Sequence, residues 1–253
     1  MKKIFAVLLF LALAASAGAP VGSLVHGVNP GPDGKTDVVT MFPHQDDETI
    51  FVGGTILKLK HENPEVRVHI VCFTLGELSS AKETLKITPE LQGRIRTEEL
   101  RAAAAVLGAD ELIQLSYHDQ GLAKVEFSQL VEKALSMIEQ TGAEVVVSYG
   151  PDGMTGHIDH RTLCRAVTEA FKQSRAQKLY YAALPKSLGP IYKAINKFGY
   201  TEATIKVEVR PYKKLKKLAI YEHTTQKFFS GTLTSPNIET LYNYEWFRLE
   251  ASK

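Results

Sequence analysis

The sequence predicts an α/β fold: a Rossmann-like, doubly wound, mostly parallel sheet with a C-terminal strand-and-helix cap. Short apolar runs alternate with longer helix-like segments from Asp37 to Leu184, which is the pattern of consecutive βαβ units. The strand segments are continuous apolar runs such as Val145-Val146-Val147, as expected when helices cover both faces of a sheet. Glycine follows two helix-like segments, at Gly108 and Gly142, where a helix C-terminus often needs a left-handed residue.

The elements of the first two thirds of the chain alternate regularly. In such a sheet the first and fourth strands are neighbours where the strand order reverses, and the loops at their carboxyl ends face each other across a ligand-binding crevice. The predicted elements are strand 37–42, helix 48–61, strand 66–74, a polar loop at 75–92, helix 94–107, strand 111–116, helix 127–141, strand 144–149, helix 159–174 and strand 178–184.

The last third of the chain changes character. Residues 185–200 contain two prolines and two glycines, so we expect a loop with a short helix. Residues 204–209 alternate apolar and charged side chains, which is typical of a half-exposed strand. Pro211 opens a basic helix that extends to about Phe229, and a looser, aromatic tail follows. We therefore treat residues 37–253 as a single domain.

The first 17 residues resemble a secretory signal peptide. A basic start (Met1-Lys2-Lys3) precedes an apolar run, and Ala15-Ser16-Ala17 is a small-x-small cleavage site. The run is too short to span a bilayer comfortably, although an uncleaved anchor is the alternative. We expect export to the periplasm or the extracellular space, with no stable membrane insertion after cleavage. Residues 18–36, rich in Gly and Pro, would form an extended lead-in outside the core.

Charge and cysteine content limit the partners and the covalent cross-links. The formal net charge is +2, and loss of Lys2 and Lys3 with the signal peptide leaves equal numbers of basic and acidic residues. Bulk charge therefore gives no support for nucleic-acid binding. Export would permit a disulfide between Cys72 and Cys164, but both lie in apolar segments, so two buried free thiols are the preferred interpretation.

Two polar clusters follow predicted strands. Strand 37–42 stops at Pro43 and is followed by His44-Gln45-Asp46-Asp47-Glu48, with no lysine or arginine beside it. Adjacent carboxylates repel one another unless a cation or a helix N-terminus compensates. Gly156-His157-Ile158-Asp159-His160 occupies the same kind of position after strand 144–149. Either cluster alone could hold only capping or surface histidines, but the pair at neighbouring strand ends predicts a metal site.

The residue types suggest which metal is bound. His44, Asp47 and His160 would supply two imidazoles and one carboxylate and leave a position open for water, which is the donor set of a catalytic zinc site. Fe(II) uses the same donors, so a non-haem iron enzyme is an alternative. Asp46 would lie beside the attacking water as its general base.

The neighbouring polar residues would support this chemistry. His157 could be a charged or hydrogen-bonding partner for an oxyanion, and Asp159 could orient a histidine from behind. We expect Glu48 to stabilise the helix N-terminus or a water network rather than to bind the metal.

The two motifs resemble the HPDDE and GHPDH motifs of the PIG-L/LmbE-like deacetylases, zinc-dependent enzymes that remove N-acetyl groups from N-acetylglucosaminyl substrates. The resemblance spans about Asp37 to Gln226. Thr74-Leu75-Gly76-Glu77 resembles the family's T-x-G-E turn, and His118-Asp119 resembles the place of its sugar-contacting aspartate. The segment from Arg96 to Glu99, followed by Leu107-Gly108, resembles its R-x-x-E helix that ends in LG. The C-terminal match is to its K-x-x-A-x-x-x-H-x-x-Q helix, at Lys216, Ala219, His223 and Gln226.

This resemblance implies specific roles. It assigns zinc to His44, Asp47 and His160, the general base to Asp46, and sugar hydroxyls to Asp119. It also places His157 near the oxyanion, with Asp159 supporting it. Gln45 and Ile158 replace family prolines that supply no ligand.

The substrate-binding loop departs from the family more seriously. Relatives keep substrate-binding residues in the loop that corresponds to residues 77–92, but here no arginine occurs before Arg94. Arg94 and Lys82 are therefore the candidates, with a solvated surface charge as the alternative for each. Arg96 with Glu99 could equally be an ordinary i, i+3 helix pair, and a structural role is the alternative for His223.

The sequence thus predicts an exported, zinc-dependent amide hydrolase that releases acetate from an N-acetylated amino sugar or glycan. Export favours a cell-envelope or extracellular substrate. A catalytically silent carbohydrate-binding protein of the same fold is the other alternative. The presence of Asp46 argues against it, because binding alone needs no base.

Overall fold

The computed structural model describes residues 19–226 and 243–253. Seven strands form one sheet in the order β3-β2-β1-β4-β5-β7-β6. Strands β1 to β5 pair in parallel, while β7 is antiparallel to both β5 and β6. The predicted doubly wound, mostly parallel sheet is confirmed. The strands are β1 Thr36–Phe42, β2 Val66–Thr74, β3 Glu111–Tyr117, β4 Val145–Tyr149, β5 Lys178–Ala182, β6 Ile205–Glu208 and β7 Tyr244–Ser252.

Helices cover both faces of this sheet, and each face has its own apolar core. Side chains of β1 alternate between them: Val38 and Phe42 pack on one side, and Val39 and Met41 on the other. The helices are α1 Asp47–Phe51, α2 Gly53–Glu62, α3 Ala81–Leu85, α4 Pro89–Leu107, α5 Phe127–Gln140, α6 Gly153–Gly156, α7 Ile158–Gln173, α8 Gly189–Ile195 and α9 Lys213–Glu222, with 3-10 turns at Leu122–Lys124, Lys186–Leu188, Arg210–Tyr212 and Thr224–Gln226.

The structure differs from the predicted elements in several places. The helix expected at 48–61 is interrupted at Val52, which separates α1 from α2. Helix α4 starts earlier than expected, because Pro89 occupies its first turn and the hydroxyl of Thr88 accepts a hydrogen bond from the main-chain N–H of Leu91 at 3.3 Å. The expected loose tail contains β7. The basic helix, expected to extend to about Phe229, ends at Glu222 and is followed by a 3-10 turn at Thr224–Gln226; the part of the prediction beyond Gln226 lies outside the described residues.

The lead-in is attached more firmly than expected. The main-chain N–H of Gly22 donates to the carbonyl of Lys206 at 3.0 Å, and that of Lys206 to the carbonyl of Pro20 at 2.9 Å. Leu24 is fully buried in the core, so residues 18–36 are not simply a tether outside it. The predicted signal peptide lies outside the described residues. Within the described part of the chain, none of the helices has the length and apolarity required to traverse a bilayer.

The two cysteines and one ion pair are buried in the folded chain. Cys72 and Cys164 are free and buried, as preferred from the sequence. The carboxylate of Glu245, on β7, accepts hydrogen bonds from the main-chain N–H groups of Gly54 and Thr55, both at 2.7 Å. It also accepts one from the ammonium of Lys216 at 2.6 Å. This buried pair ties β7 and α9 to the first turn of α2, directly behind the loop and helix that follow β1.

Candidate active site

The loop after β1 brings two predicted ligands to one side. Asp46 has φ 106°, a left-handed conformation that is unusual for a residue other than glycine, and α1 begins at the next residue. The carboxylate of Asp47 then turns back, so that its Oδ2 accepts a hydrogen bond from the main-chain N–H of His44 at 3.0 Å. This local bond fixes the carboxylate beside the imidazole three residues earlier.

The loop after β4 supplies the other predicted ligand. His157 caps helix α7: its Nδ1 accepts a hydrogen bond from the main-chain N–H of Asp159 at 3.2 Å. His160 lies in the first turn of α7, and its Nδ1 donates to the carbonyl of Gly153 at 2.9 Å. That bond fixes the tautomer and leaves Nε2 of His160 available to a ligand.

The three predicted ligand atoms converge. Nδ1 of His44 lies 3.1 Å from Nε2 of His160, and Oδ2 of Asp47 lies 3.5 Å from the first and 3.6 Å from the second. Ligand atoms about 2.0–2.2 Å from a tetrahedral zinc ion are roughly 3.3–3.6 Å apart. Two of the three separations lie in this range and the third, between His44 and His160, is slightly shorter, so these three side chains, which we call the triad, are close enough together to bind one metal ion.

Tyr149, the last residue of β4, supports the triad from behind. Its hydroxyl donates to Oδ1 of Asp47 at 2.6 Å, and its ring stacks on the imidazole of His160 with centroids 4.1 Å apart. Hydrogen bonds of this kind orient metal ligands and raise their basicity. Sequence reasoning missed Tyr149, although its place at the carboxyl end of the fourth strand was a usable signal.

The opposite edge of the His44 ring faces two further carboxylates. Its Nε2 lies 3.1 Å from Oδ1 of Asp119 and 3.4 Å from Oδ2 of Asp159. Asp159 is fully buried and also accepts hydrogen bonds from the main-chain N–H groups of Gln120, at 2.6 Å, and Leu122, at 3.1 Å. Asp159 therefore fixes the loop that carries Asp119, and both acids orient His44. The expected sugar contact of Asp119 is a role that this geometry leaves open.

The electrostatics of the pocket favour a cation. Burial would lower the pKa of His44, but hydrogen bonds to three carboxylates raise it well above its ordinary value. Burial would raise the pKa of Asp47, yet the neighbouring imidazoles and the Tyr149 hydroxyl lower it. Burial lowers the pKa of His160 to about 4, so this ring is neutral near pH 7. Metal binding requires neutral imidazoles, so His44, whose raised pKa shows that the surrounding carboxylates favour a positive charge at this place, has to release its proton to a bound metal, whereas His160 is already neutral.

Asp46, the predicted base, is held next to an arginine. Nη2 of Arg96 lies 3.4 Å from Oδ1 of Asp46 and also donates to the main-chain carbonyl of Gln45. Burial raises the pKa of Asp46 to about 7, and Arg96 limits the rise. Gly76 leaves room for the guanidinium, because a Cβ at this position would lie 2.6 Å from Nη1 of Arg96.

The i, i+3 pair that was one interpretation of Arg96 and Glu99 does not form. The carboxylate of Glu99 instead accepts hydrogen bonds from the 3-10 turn after α9: one from the hydroxyl of Thr224 at 2.6 Å, and two from the main chain and hydroxyl of Thr225 at 2.6 and 2.7 Å. Arg96 is thus directed at Asp46, and Glu99 attaches the C-terminal turn to α4.

Glu77, at the end of the T-x-G-E turn, holds the loop that carries His118 and Asp119. Its carboxylate accepts a hydrogen bond from the main-chain N–H of Asp119 at 3.1 Å and lies 3.1 Å from Nδ1 of His118. Arg94 is exposed and does not reach the triad. It lines a groove of about 630 Å³ together with Glu77 and His118. Lys82 lies at the surface, 3.6 Å from Glu83.

His157 and Glu48 take different places around the centre. The His157 ring meets His44 edge to face, with centroids 4.8 Å apart. Burial and the nearby His44 lower its pKa, which leaves a neutral ring with its proton on Nε2. Glu48 is buried beside Thr49, and burial raises its pKa to about 8. His223 lies 3.2 Å from the Thr49 hydroxyl, and burial lowers its pKa to about 3, which is typical of a structural histidine.

Comparisons with known proteins identify the family to which the sequence is similar. A family model described as PIG-L, GlcNAc-PI de-N-acetylase, matches residues 39–171. The chain is 32% identical over 195 residues to a probable N-acetyl-alpha-D-glucosaminyl L-malate deacetylase 2 of Bacillus anthracis, covering 75% of this chain and 80% of the relative.

Two solved structures share the fold. The N,N'-diacetylchitobiose deacetylase of Pyrococcus horikoshii superposes with a TM-score of 0.63 and 21% identity, over 98% of this chain and 92% of that one. The 4-carboxy-2-hydroxymuconate hydratase GalB of Pseudomonas putida KT2440 has the same TM-score with 16% identity, over 86% and 97% of the two chains. Because the fold also serves a hydratase, an argument about the reaction has to rest on the site.

Proposed function

The chain belongs to the PIG-L family, and from that premise we propose that it hydrolyses the N-acetyl group of an amino sugar, releasing acetate and the free amine. The observation that carries the proposal is the convergence of His44, Asp47 and His160 beside Asp46. The Bacillus anthracis relative is named for an N-acetylglucosaminyl substrate, which supports an N-acetylglucosaminyl group as the substrate class here.

We propose zinc as the metal, held by His44, Asp47 and His160. Two imidazoles and one carboxylate in a tetrahedral arrangement with an open position are the donors of catalytic zinc sites, and the spacing of the three ligand atoms supports this choice. A zinc ion bound there would polarise the acetyl carbonyl and make water more acidic. Fe(II) shares this donor set, so metal analysis of the purified protein decides between them.

Asp46 is the base in this proposal. Its carboxylate removes a proton from the attacking water, which then adds to the acetyl carbonyl, and the same carboxyl group returns a proton to the departing amine. Water adds its hydroxyl to the acetyl carbon and its proton to the nitrogen, so the products balance. Arg96 holds Asp46 in place and limits the rise of its pKa.

Two other side chains act on the substrate in this proposal. His157, whose proton is on Nε2, donates a hydrogen bond to the oxyanion that forms as water adds. Asp119 accepts hydrogen bonds from sugar hydroxyls while it orients His44. The groove lined by Glu77, Arg94 and His118, the residue before Asp119, has a volume of about 630 Å³, and in this proposal it holds the part of a glycan beyond the acetylated unit.

We also propose that the protein is exported, so that its substrate is a glycan of the cell envelope or the extracellular space. The basic start, the apolar run and the Ala15-Ser16-Ala17 site support this. Mass spectrometry of the protein recovered from the producing cells tests it: a mature N-terminus at residue 18 is expected, and a protein that starts at Met1 in the cytoplasmic fraction would contradict export.

A substrate panel tests the reaction. Acetate release is measured from free N-acetylglucosamine, chitooligosaccharides and peptidoglycan fragments, with metal content determined on the same sample. We expect acetate from at least one of these and about one zinc per chain. Absence of acetate release from all of them by a zinc-loaded protein would reject the proposal in favour of a binding role.

A further inference from the structure

Helix α8 and its flanks expose a set of apolar side chains at the protein surface. Ile191, Ile195 and Phe198 are 37%, 38% and 39% exposed, and Pro190 and Ala194, in the same helix as the two isoleucines, are also exposed. Tyr192 is the buried side chain of the helix. Because residues one helical turn apart share a face, the outward face of this short helix is apolar. We call the exposed side chains from Lys186 to Phe198 the α8 surface.

The charge of the α8 surface has one sign. Lys186, Lys193 and Lys197 are exposed, and the sequence from Ala183 to Thr201 contains no acid. The guanidinium of Arg161 adds a fourth cation, 3.4 Å from the centre of the Phe198 ring. The next acid along the chain, Glu202, accepts a hydrogen bond from the hydroxyl of Tyr200 at 2.6 Å. Cations therefore flank the apolar face without neutralising partners in this segment of sequence.

The α8 surface is rigidly connected to the loop that carries His157. The side-chain amide of Asn196, which is buried, donates to the main-chain carbonyl of Asp152 at 3.2 Å. The Phe198 ring packs against Gly156, where a Cβ would lie 3.2 Å from it. Ile158, next to His157, is 44% exposed. The apolar face thus adjoins the rim of the active site.

We propose that the α8 surface binds the surface of an anionic lipid bilayer, peripherally and without insertion of a spanning segment. Aliphatic side chains flanked by lysines suit this environment, because the apolar groups enter the acyl boundary while the ammonium groups remain at the headgroups. A protein partner is disfavoured, since protein interfaces are depleted in lysine. Binding in this way holds the active-site rim beside the membrane.

Vesicle cosedimentation tests the proposal. The chain from residue 18 onward is mixed with vesicles of phosphatidylcholine alone, or of phosphatidylcholine with phosphatidylglycerol. We expect binding only to the anionic vesicles. Since each lysine near such a surface strengthens binding about fivefold, the triple variant Lys186→Gln, Lys193→Gln, Lys197→Gln should bind roughly 100-fold more weakly.

The controls separate this surface from bulk charge and from catalysis. The matched triple variant Lys35→Gln, Lys124→Gln, Lys133→Gln has the same net charge and should keep most of the binding. The double variant Ile191→Ser, Ile195→Ser, checked for native circular dichroism, should lose binding while its lysines remain. The measurement uses no catalysis, so its result is independent of the proposed reaction.

Three results would overturn the proposal. One is that the wild-type chain binds neither kind of vesicle. Another is that both lysine triples weaken binding equally, which would indicate bulk charge. The third is a self-associated chain in solution that the Ile191→Ser, Ile195→Ser variant converts to a monomer, with no vesicle binding in either form. That result would make the α8 surface a contact between copies of the chain.

Discussion

Replacement of Tyr149 by phenylalanine tests the metal triad through a residue that does not touch the metal. The variant removes one hydroxyl, which donates to Oδ1 of Asp47 at 2.6 Å. The ring itself packs edge to face on Phe42 and stacks on His160, with centroids 4.9 and 4.1 Å apart. Phenylalanine keeps both ring contacts, so the change isolates the hydrogen bond that orients the carboxylate.

The expected magnitude follows from the type of bond. A hydrogen bond to a charged group contributes about 1.5–3 kcal/mol, and Tyr149 and Asp47 are both buried, so water cannot replace the lost donor. That free energy corresponds to roughly 10–150-fold in affinity, close to the 10–100-fold typical of residues that support metal ligands. We therefore expect the zinc dissociation constant of Tyr149→Phe to rise about 10–100-fold.

Zinc competition with a chromophoric chelator measures this constant. Tyr181→Phe is the matched control, because Tyr181 is also buried and its hydroxyl lies 2.6 Å from the Thr168 hydroxyl, in the apolar core away from the triad. The control should leave zinc affinity unchanged. An unchanged dissociation constant in Tyr149→Phe, or an equal loss in both variants, would refute the assignment of Asp47 as a ligand oriented by Tyr149.

Three further predictions concern the surroundings of the site. Arg96→Lys keeps the charge but loses the fork that contacts Gln45 and Asp46; we expect kcat/KM to fall about 10–100-fold with zinc content unchanged, and wild-type kinetics would contradict this role. Lys216→Met leaves Glu245 buried without its cation, which should lower the free energy of unfolding in urea by about 3–5 kcal/mol; a loss below about 1 kcal/mol, as for an exposed pair, would contradict it. Burial would raise the pKa of Asp110, but hydrogen bonds from the Lys60 ammonium and a main-chain N–H lower it. A folded pKa below the unfolded one stabilises the protein above the unfolded pKa and stops doing so as pH falls through the folded one. Because Asp110 is exposed and its charge is screened by solvent, Asp110→Asn should cost less than about 1 kcal/mol at pH 7, and the difference from wild type should shrink in urea titrations as pH falls below about 4 and disappear below the folded pKa; a gap of unchanged size in acid would refute the mechanism.

The triad could be predicted from the sequence because its three residues follow the carboxyl ends of strands. His44 and Asp47 are only three residues apart, so a single turn holds both of them. The βαβ pattern makes β1 and β4 neighbours in the sheet. Residues 44 and 160 therefore had to face the same crevice. Asp119, which follows β3, was assigned only through the resemblance of His118-Asp119 to the family motif.

Residues that act through long-range packing were harder to predict. Arg96 lies in the middle of α4, and local rules favoured a bond to Glu99, one turn away. The fold instead directs it at Asp46, which is 50 positions earlier in the chain, and attaches Glu99 to the turn after α9. A local sequence pattern cannot predict which carboxylate Arg96 contacts, because the contact depends on how α4 packs over the loop after β1.

The C-terminal strand was missed for a related reason. Strand β7 pairs antiparallel with both β5 and β6, and those partners are far away in sequence. Its alternating apolar and polar residues were a weak signal beside the aromatic cluster. Yet Glu245 on this strand holds the N-terminus of α2, so the segment expected to be a loose tail is part of the support for the site.

In the proposed reaction Asp46 acts as a base next to a metal that it does not bind. Asp46→Asn should keep about one zinc per chain, because the triad is intact, while acetate release from an N-acetylglucosaminyl substrate falls about 10²–10⁴-fold. Acetate release and zinc content measured on the same sample decide the matter. Loss of activity with retained zinc is the predicted result, and full activity in the zinc-loaded variant would contradict it.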